Sequence, residues 1–118
     1  MAELKAPGVA FYVARDGEQL LGFGAIAARG ADESGADWAE VKRMYVAPAA
    51  RGRRIGRLLL DQLLEHAKAG RINVLRLETG DKQAEALSLY RSVGFTNRGP
   101  FGDYPDNESS IYMELRLA

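Results

Sequence analysis

The heptapeptide Arg51-Gly52-Arg53-Arg54-Ile55-Gly56-Arg57 sets four arginines and two glycines directly before a leucine run. Guanidinium groups donate paired hydrogen bonds to phosphate oxygens, and glycines let a ligand approach the backbone. A helix starting inside this stretch has first-turn N–H groups without intrahelical partners, and its dipole adds positive potential there. Together these properties describe a site for a di- or polyphosphate. The spacing matches neither a Walker loop nor a dinucleotide fingerprint. Lys42, Arg43, Arg51, Arg53, Arg54 and Arg57 crowd between Glu40 and Asp61 with no acidic residue among them, although 16 basic and 16 acidic residues balance over the chain. Such a focused field suits a compact polyanion better than a nucleic acid.

Composition removes several other chemistries. The absence of cysteine excludes disulfides, thiolate metal sites and a cysteine nucleophile; the sole histidine, His66, leaves little for a zinc site or a Ser-His triad and is expected as an exposed or helix-end residue rather than a catalytic one. The 118 residues are enough for one core, so residues 1–118 are read as a single domain. No apolar run is long enough to span a bilayer, and the first residues lack the pattern of a secretory signal. The expectation is a cytoplasmic protein with no membrane, nucleic-acid or metal partner.

The elements that must position the arginine loop follow from periodicity. Residues 9–14 and 19–28 read as two antiparallel strands around the Asp16-Gly17 turn signal. A polar loop over 29–37 leads to a third strand over 38–46, which Pro48 stops. Ile55, Leu58, Leu59, Leu63, Leu64 and Ala67 have helical spacing, which predicts a helix over 53–68 capped by Gly70. The next strand, over 72–79, must run parallel to the third because a helix separates them. Asp81 is expected to cap a second helix that runs to Ser92 and ends at Gly94. A short strand over 95–99, a loop over 100–109 and an alternating strand over 110–117 complete the order β-β-β-α-β-α-β-β. This is an α/β (α+β) arrangement, a mixed sheet of about six strands covered by helices.

With the elements in place, "AEVKRMYVAPAARGRRIGRLLLDQLLEHA" followed by "LETGDKQAEALSLYRSVGF" closely resembles the GNAT superfamily of acetyl-CoA-dependent N-acetyltransferases, over residues 9–117. In that family a Gln/Arg-x-x-Gly-x-Gly/Ala loop holds the coenzyme A pyrophosphate on its amides. Arg51 takes the first motif position, Arg54 the middle one and Gly56 the last, so Arg54 stands where the family usually has glycine. A helical backbone at Arg54 would not itself require glycine. The resemblance implies that Arg51, Gly52, Arg53, Arg54, Ile55, Gly56 and Arg57 contact acetyl-CoA. It implies further that Met44, Tyr45 and Val46 receive the cofactor's amide-bearing arm by strand addition. A backbone N–H of Met44 or Tyr45 would polarise the thioester carbonyl.

The same resemblance assigns Tyr90 as the acid that returns a proton to the departing thiolate, and Gln83 as a contact to the cofactor arm. Gln83, Ala86, Leu87 and Tyr90 share one helical face, so Gln83 and Tyr90 are expected to line one cleft. Glu40 sits where some relatives place a general base, acting directly or through water, and it is equally an ion-pair partner for a neighbouring lysine or arginine. Phe101, Asp103 and Tyr104, in the loop before the last strand, are candidate contacts for a cationic amine. The implied activity is acetyl transfer from acetyl-CoA to a primary amine by direct attack in a ternary complex; the alternative is a non-catalytic acyl-CoA-binding or sensing module. A third reading, a nucleic-acid module built on the arginines, conflicts with the near-neutral chain. The family normally has a strand and two helices before the hairpin, where this sequence has about eight residues. Three alternatives follow: the sequence lacks an N-terminal segment, the acceptor site is unusually open, or a second subunit closes it; an apolar edge or face left uncovered would favour a homodimer.

Overall fold

A computed structural model describes residues 8–32, 34–50, 52–101 and 109–117; Arg51, Asp103 and Tyr104 lie outside the described residues. The elements are β1 (Val9–Asp16), β2 (Gln19–Ala31), β3 (Asp37–Val46), a 3-10 turn (Pro48–Ala50), α1 (Ile55–Ala69), β4 (Val74–Gly80), α2 (Ala84–Val93), β5 (Thr96–Arg98) and β6 (Ser110–Arg116). They form the expected mixed α+β fold, a six-stranded sheet in the order β1-β2-β3-β4-β6-β5. β3 and β4 pair in parallel, and the other neighbours are antiparallel.

Both helices cover one face of this sheet. Leu60, Leu63 and Ala67 of α1 and Leu87 and Tyr90 of α2 pack with Ile26, Ala39, Val41, Leu75, Leu77 and Met113 in a single core. Leu60, Leu63, Leu75 and Met113 have no exposed surface. Each contributes about 1.5–3 kcal/mol relative to an exposed side chain. Leu58, which sequence periodicity places in the apolar stripe, is instead 60% exposed because the stripe that meets the sheet runs through Ile55, Leu59, Leu60 and Leu63.

The opposite face carries residues of the other parity. Arg76, 4% exposed, donates from Nε to Glu114 Oε1 and from Nη2 to Asp32 Oδ2, both at 3.0 Å, and lies 4.8 Å from the centre of the Trp38 ring. Arg98 Nη1 donates to the same Glu114 oxygen at 2.8 Å. One buried guanidinium thus ties β4, β6 and the β2–β3 loop together. Asp32 also accepts from the Ser34 hydroxyl at 2.6 Å. That bond, with the Ala36 and Ser34 N–H groups and the Arg76 charge behind it, outweighs burial and lowers the Asp32 pKa to about 2.

Two terminus assignments change, while the expected Gly70 cap of α1 holds. α1 begins at Ile55, not Arg53, and Arg54 precedes it with φ 59° and ψ 30°. This is the left-handed conformation that glycine adopts freely and a Cβ disfavours, so the expectation of a helical backbone at Arg54 fails. At the other end of α1, Gly70 is the C-cap with φ −85°, and the left-handed position after it belongs to Arg71, φ 60°. The bonds Arg71 N–H to Lys68 C=O and Ile72 N–H to Ala67 C=O complete a Schellman motif. Asp81 does not cap α2: Gln83 holds that position without a side-chain bond, because the Gly80–Gln83 turn moves the helix start two residues onward.

The feature that shapes the site is how briefly β3 and β4 stay together. They pair only at Trp38–Val74, Ala39–Leu75 and Glu40–Arg76, whereas β3 remains paired with β2 as far as Val46. Between Lys42 and Tyr45, β3 carries one more residue than the facing Phe23–Ala25 segment, a bulge that bends the strand. Gly22 gives the bulged strand its room, since a Cβ there would lie 2.5 Å from the Tyr45 carbonyl oxygen. Past Glu40 the two strands diverge.

Candidate functional site

The divergence opens a cavity of about 850 Å³, a volume that accommodates a sizeable organic ligand. Its walls are the free edge of β3, the start of α1, the end of β4 and one side of α2. Beyond Glu40, the β3 edge toward β4 has no ladder partner, so the backbone groups of Met44, Tyr45 and Val46 on that edge are available to a ligand.

At the α1 end, Gly52, Arg54, Ile55, Gly56 and Arg57 line the cavity. Gly52 has φ +84° and open space where a side chain would be. A Cβ on Gly56 would press on Leu89 Cδ2 at 3.1 Å and make ordinary contact with Val46 Cγ2 at 3.5 Å. The arginines are not equivalent. Arg53 bonds Asp16 at 3.4 Å and does not line the cavity, and Arg57 pairs with Asp61 one turn along α1 at 3.0 Å. Among the described residues, only Arg54 of these three has no side-chain partner. The first-turn amides and this unpaired guanidinium form a donor set for phosphate oxygens.

Gln83 and Tyr90 both line the cavity, as their spacing predicts, although Gln83 is a cap and Leu87 of the same set is buried in the core. Glu85, Ala86, Leu89 and Ser92 complete the α2 side of the wall. Tyr90 is 5% exposed, with Phe95 edge-on to its ring at 5.7 Å. Burial pushes the Tyr90 pKa up to about 12. Its hydroxyl therefore keeps a proton throughout the neutral range.

Glu40 lies on the sheet face away from the helices, 3% exposed. Arg29 Nη2 donates to its Oε1 at 3.0 Å, and Lys42 Nζ stands 3.9 Å from Oε2. It lines the cavity and is an ion-pair partner at once. Phe101 does not line the cavity: it is 5% exposed and edge-on to both Trp38 and Tyr112. Lys42 and Glu78, which sequence reasoning left out, do line it. Glu78 accepts from the Ser110 hydroxyl at 2.7 Å. Only the register exposes their relation: each lies two residues beyond the last β3–β4 pair, on the face of Glu40. No group of metal-ligating side chains exists among the described residues. No helix among them is long and apolar enough to cross a membrane.

Residues 7–97 match the family model for the acetyltransferase (GNAT) domain. An IAA acetyltransferase of Azospirillum brasilense is 46% identical over 114 residues, covering 97% of this chain and 72% of that protein. The N-alpha-acetyltransferase RimI of Mycobacterium tuberculosis is 40% identical over 97 residues, 82% of this chain and 58% of RimI. Among solved structures, one described as an acyl-CoA N-acyltransferase of Klebsiella pneumoniae superposes with a TM-score of 0.84 at 33% identity, covering 98% of this chain and 77% of that one. The split sheet, the loop ahead of α1 and these matches agree: the chain belongs to the GNAT family of acetyltransferases.

Proposed function

We propose that the chain acts as one N-acetyltransferase domain that moves an acetyl group from acetyl-CoA to a primary amine by direct attack in a ternary complex. The observation that carries this reading is the opening between β3 and β4, with phosphate donors at one end and Tyr90 and Glu40 along its walls. The first-turn amides of α1, Arg54 and Arg57 suit the pyrophosphate, and the free β3 edge at Met44, Tyr45 and Val46 suits the amide-bearing arm beside Gln83. Arg51 belongs to the same loop. When bound, acetyl-CoA supplies an acetyl thioester whose C–S bond breaks as the acceptor nitrogen forms the C–N bond. A strand-edge N–H of Met44 or Tyr45 stabilises negative charge on the acyl oxygen. Tyr90 holds a proton at Oη for the departing sulfur. The acceptor's ammonium proton leaves to Glu40 or Glu78, directly or through water.

A cytoplasmic location and a homodimer complete the proposal. The stacked row of Phe11, Phe23 and Tyr45, on the sheet face away from the helices, supports the homodimer.

Calorimetric titration with acetyl-CoA, with dephospho-CoA and ATP as controls, tests the binding step. Saturable binding that is weaker for the controls is expected; a folded protein that binds none of them overturns the assignment. Acetylation of an amine panel by wild type and Tyr90→Phe tests the chemistry. A fall of about 100-fold in kcat with retained binding is expected, whereas undiminished turnover removes Tyr90 as the acid.

A further inference from the structure

Two opposite charges line the cavity on the face away from the helices. The last β3–β4 pair is Glu40–Arg76, and beyond it Lys42 on β3 and Glu78 on β4 follow on that same face while the strands part. Among the described residues, neither charge is fully engaged. Lys42 Nζ is 3.9 Å from Glu40 Oε2, at the outer limit of an ion pair, while Glu40 is held more closely by Arg29 at 3.0 Å. The Lys42 side chain is 38% exposed. Glu78 accepts the Ser110 hydroxyl at Oε2, and its Oε1 has no protein partner among the described residues.

We propose that the acceptor is a zwitterion, a free α-amino acid, with its ammonium group against Glu78 and its carboxylate against Lys42. This rests on the acetyl-transfer reading and narrows it. A dication is disfavoured because Arg29 and Lys42 already stand against Glu40, which leaves Glu78 as the one of the two carboxylates with no cation beside it among the described residues. A plain amine satisfies Glu78 but leaves Lys42 facing an uncharged ligand, and a peptide N-terminus offers it an amide. An α-amino acid satisfies both, and the two charges fix which way the amine nitrogen points. Tyr45, 41% exposed, also lines the cavity and stacks on Phe23 at 5.1 Å, which stacks on Phe11 at 5.5 Å. This row gives an apolar or aromatic side chain a surface beside Lys42.

The test compares kcat/KM for L-phenylalanine, phenethylamine, L-phenylalaninamide and a peptide beginning with phenylalanine, in wild type and Lys42→Met. The amino acid is expected to exceed the other three by about tenfold. In Lys42→Met, KM for the amino acid rises and that preference falls to about one, with acetyl-CoA affinity serving as the check on folding. Equal or better use of the amine, amide or peptide by wild type overturns the zwitterion proposal and leaves acetyl transfer standing. A preference that persists in Lys42→Met also overturns it. Absence of transfer to every acceptor, with acetyl-CoA bound, overturns the acetyl-transfer reading and this proposal with it.

Discussion

Arg54 and Arg71 occupy the same left-handed backbone region, φ 59° and 60°, at opposite ends of α1, so each is an internal control for the other. A residue with a Cβ in this conformation costs about 1–2 kcal/mol. Glycine removes that cost but returns about 0.4–1 kcal/mol through the freer unfolded chain. Arg54→Gly and Arg71→Gly should therefore each stabilise the fold by about 0.5–1 kcal/mol, a rise in Tm of about 2–5 °C for a chain of this size. Binding should separate them. The 15 residues of α1 put the two positions about 22 Å apart, and Arg54 alone lines the cavity. A charge-assisted hydrogen bond is worth about 1.5–3 kcal/mol, so Arg54→Gly should weaken acetyl-CoA binding by about 10- to 100-fold while Arg71→Gly leaves it unchanged. Calorimetric unfolding and titration of the three proteins decide the matter. Stabilisation of neither variant refutes the strain argument, and unchanged affinity in Arg54→Gly refutes the phosphate role of its side chain.

Two further predictions concern pH. Buried Tyr90 keeps its proton up to about pH 12, while the unfolded chain loses it near 10, so stability from this group is present below pH 10 and is lost as pH rises to 12. The loss amounts to about 3 kcal/mol, and denaturant midpoints measured between pH 9 and 12 should show the alkaline slope flattened in Tyr90→Phe. Asp32 has the opposite sign: with its pKa lowered from 3.8 to about 2, its stabilisation is complete above pH 4 and lost as pH falls toward 2. Urea midpoints over that interval should fall less steeply in Asp32→Asn, and identical slopes would show that the Ser34, Ala36 and Arg76 contacts do not hold the carboxylate.

Most of the fold was legible because its signals are local. The Asp16-Gly17 turn, the apolar spacing of Ile55 to Ala67 and the alternation of Ile111, Met113 and Leu115 each depend on a few neighbouring residues. The helix termini were less legible, since Arg54 and Arg71 adopt a conformation that arginine does not advertise. The cavity lining was largely legible along the strand–loop–helix run: Met44, Tyr45, Val46, Gly52, Arg54, Ile55, Gly56 and Arg57 line it while Arg53 does not, with Gln83 and Tyr90 opposite. The place of Lys42 and Glu78 was not, because it depends on which β3–β4 pair is the last, a long-range fact no sequence window contains. Phe101 went the other way: a loop composition that reads as surface hides a residue clamped between Trp38 and Tyr112. The charge run likewise says nothing of Asp16 and Asp61, which occupy two of its arginines.

The three residue pairs that join β3 to β4 also bear on how the molecule coheres. Eight register pairs join β1 to β2 and seven join β4 to β6, so the backbone ladder forms two three-stranded units stitched along a short seam. Past that seam, cohesion comes from the side chains of α1 and α2, which bridge both units from one face, and from Arg76, which reaches Asp32 and Trp38 on the other. A ligand that takes up the open edge of β3 lengthens the seam, adding main-chain bonds where the protein alone has none. Its occupancy then becomes a term in the cooperativity of unfolding, so the two units melt more nearly as one as ligand concentration rises.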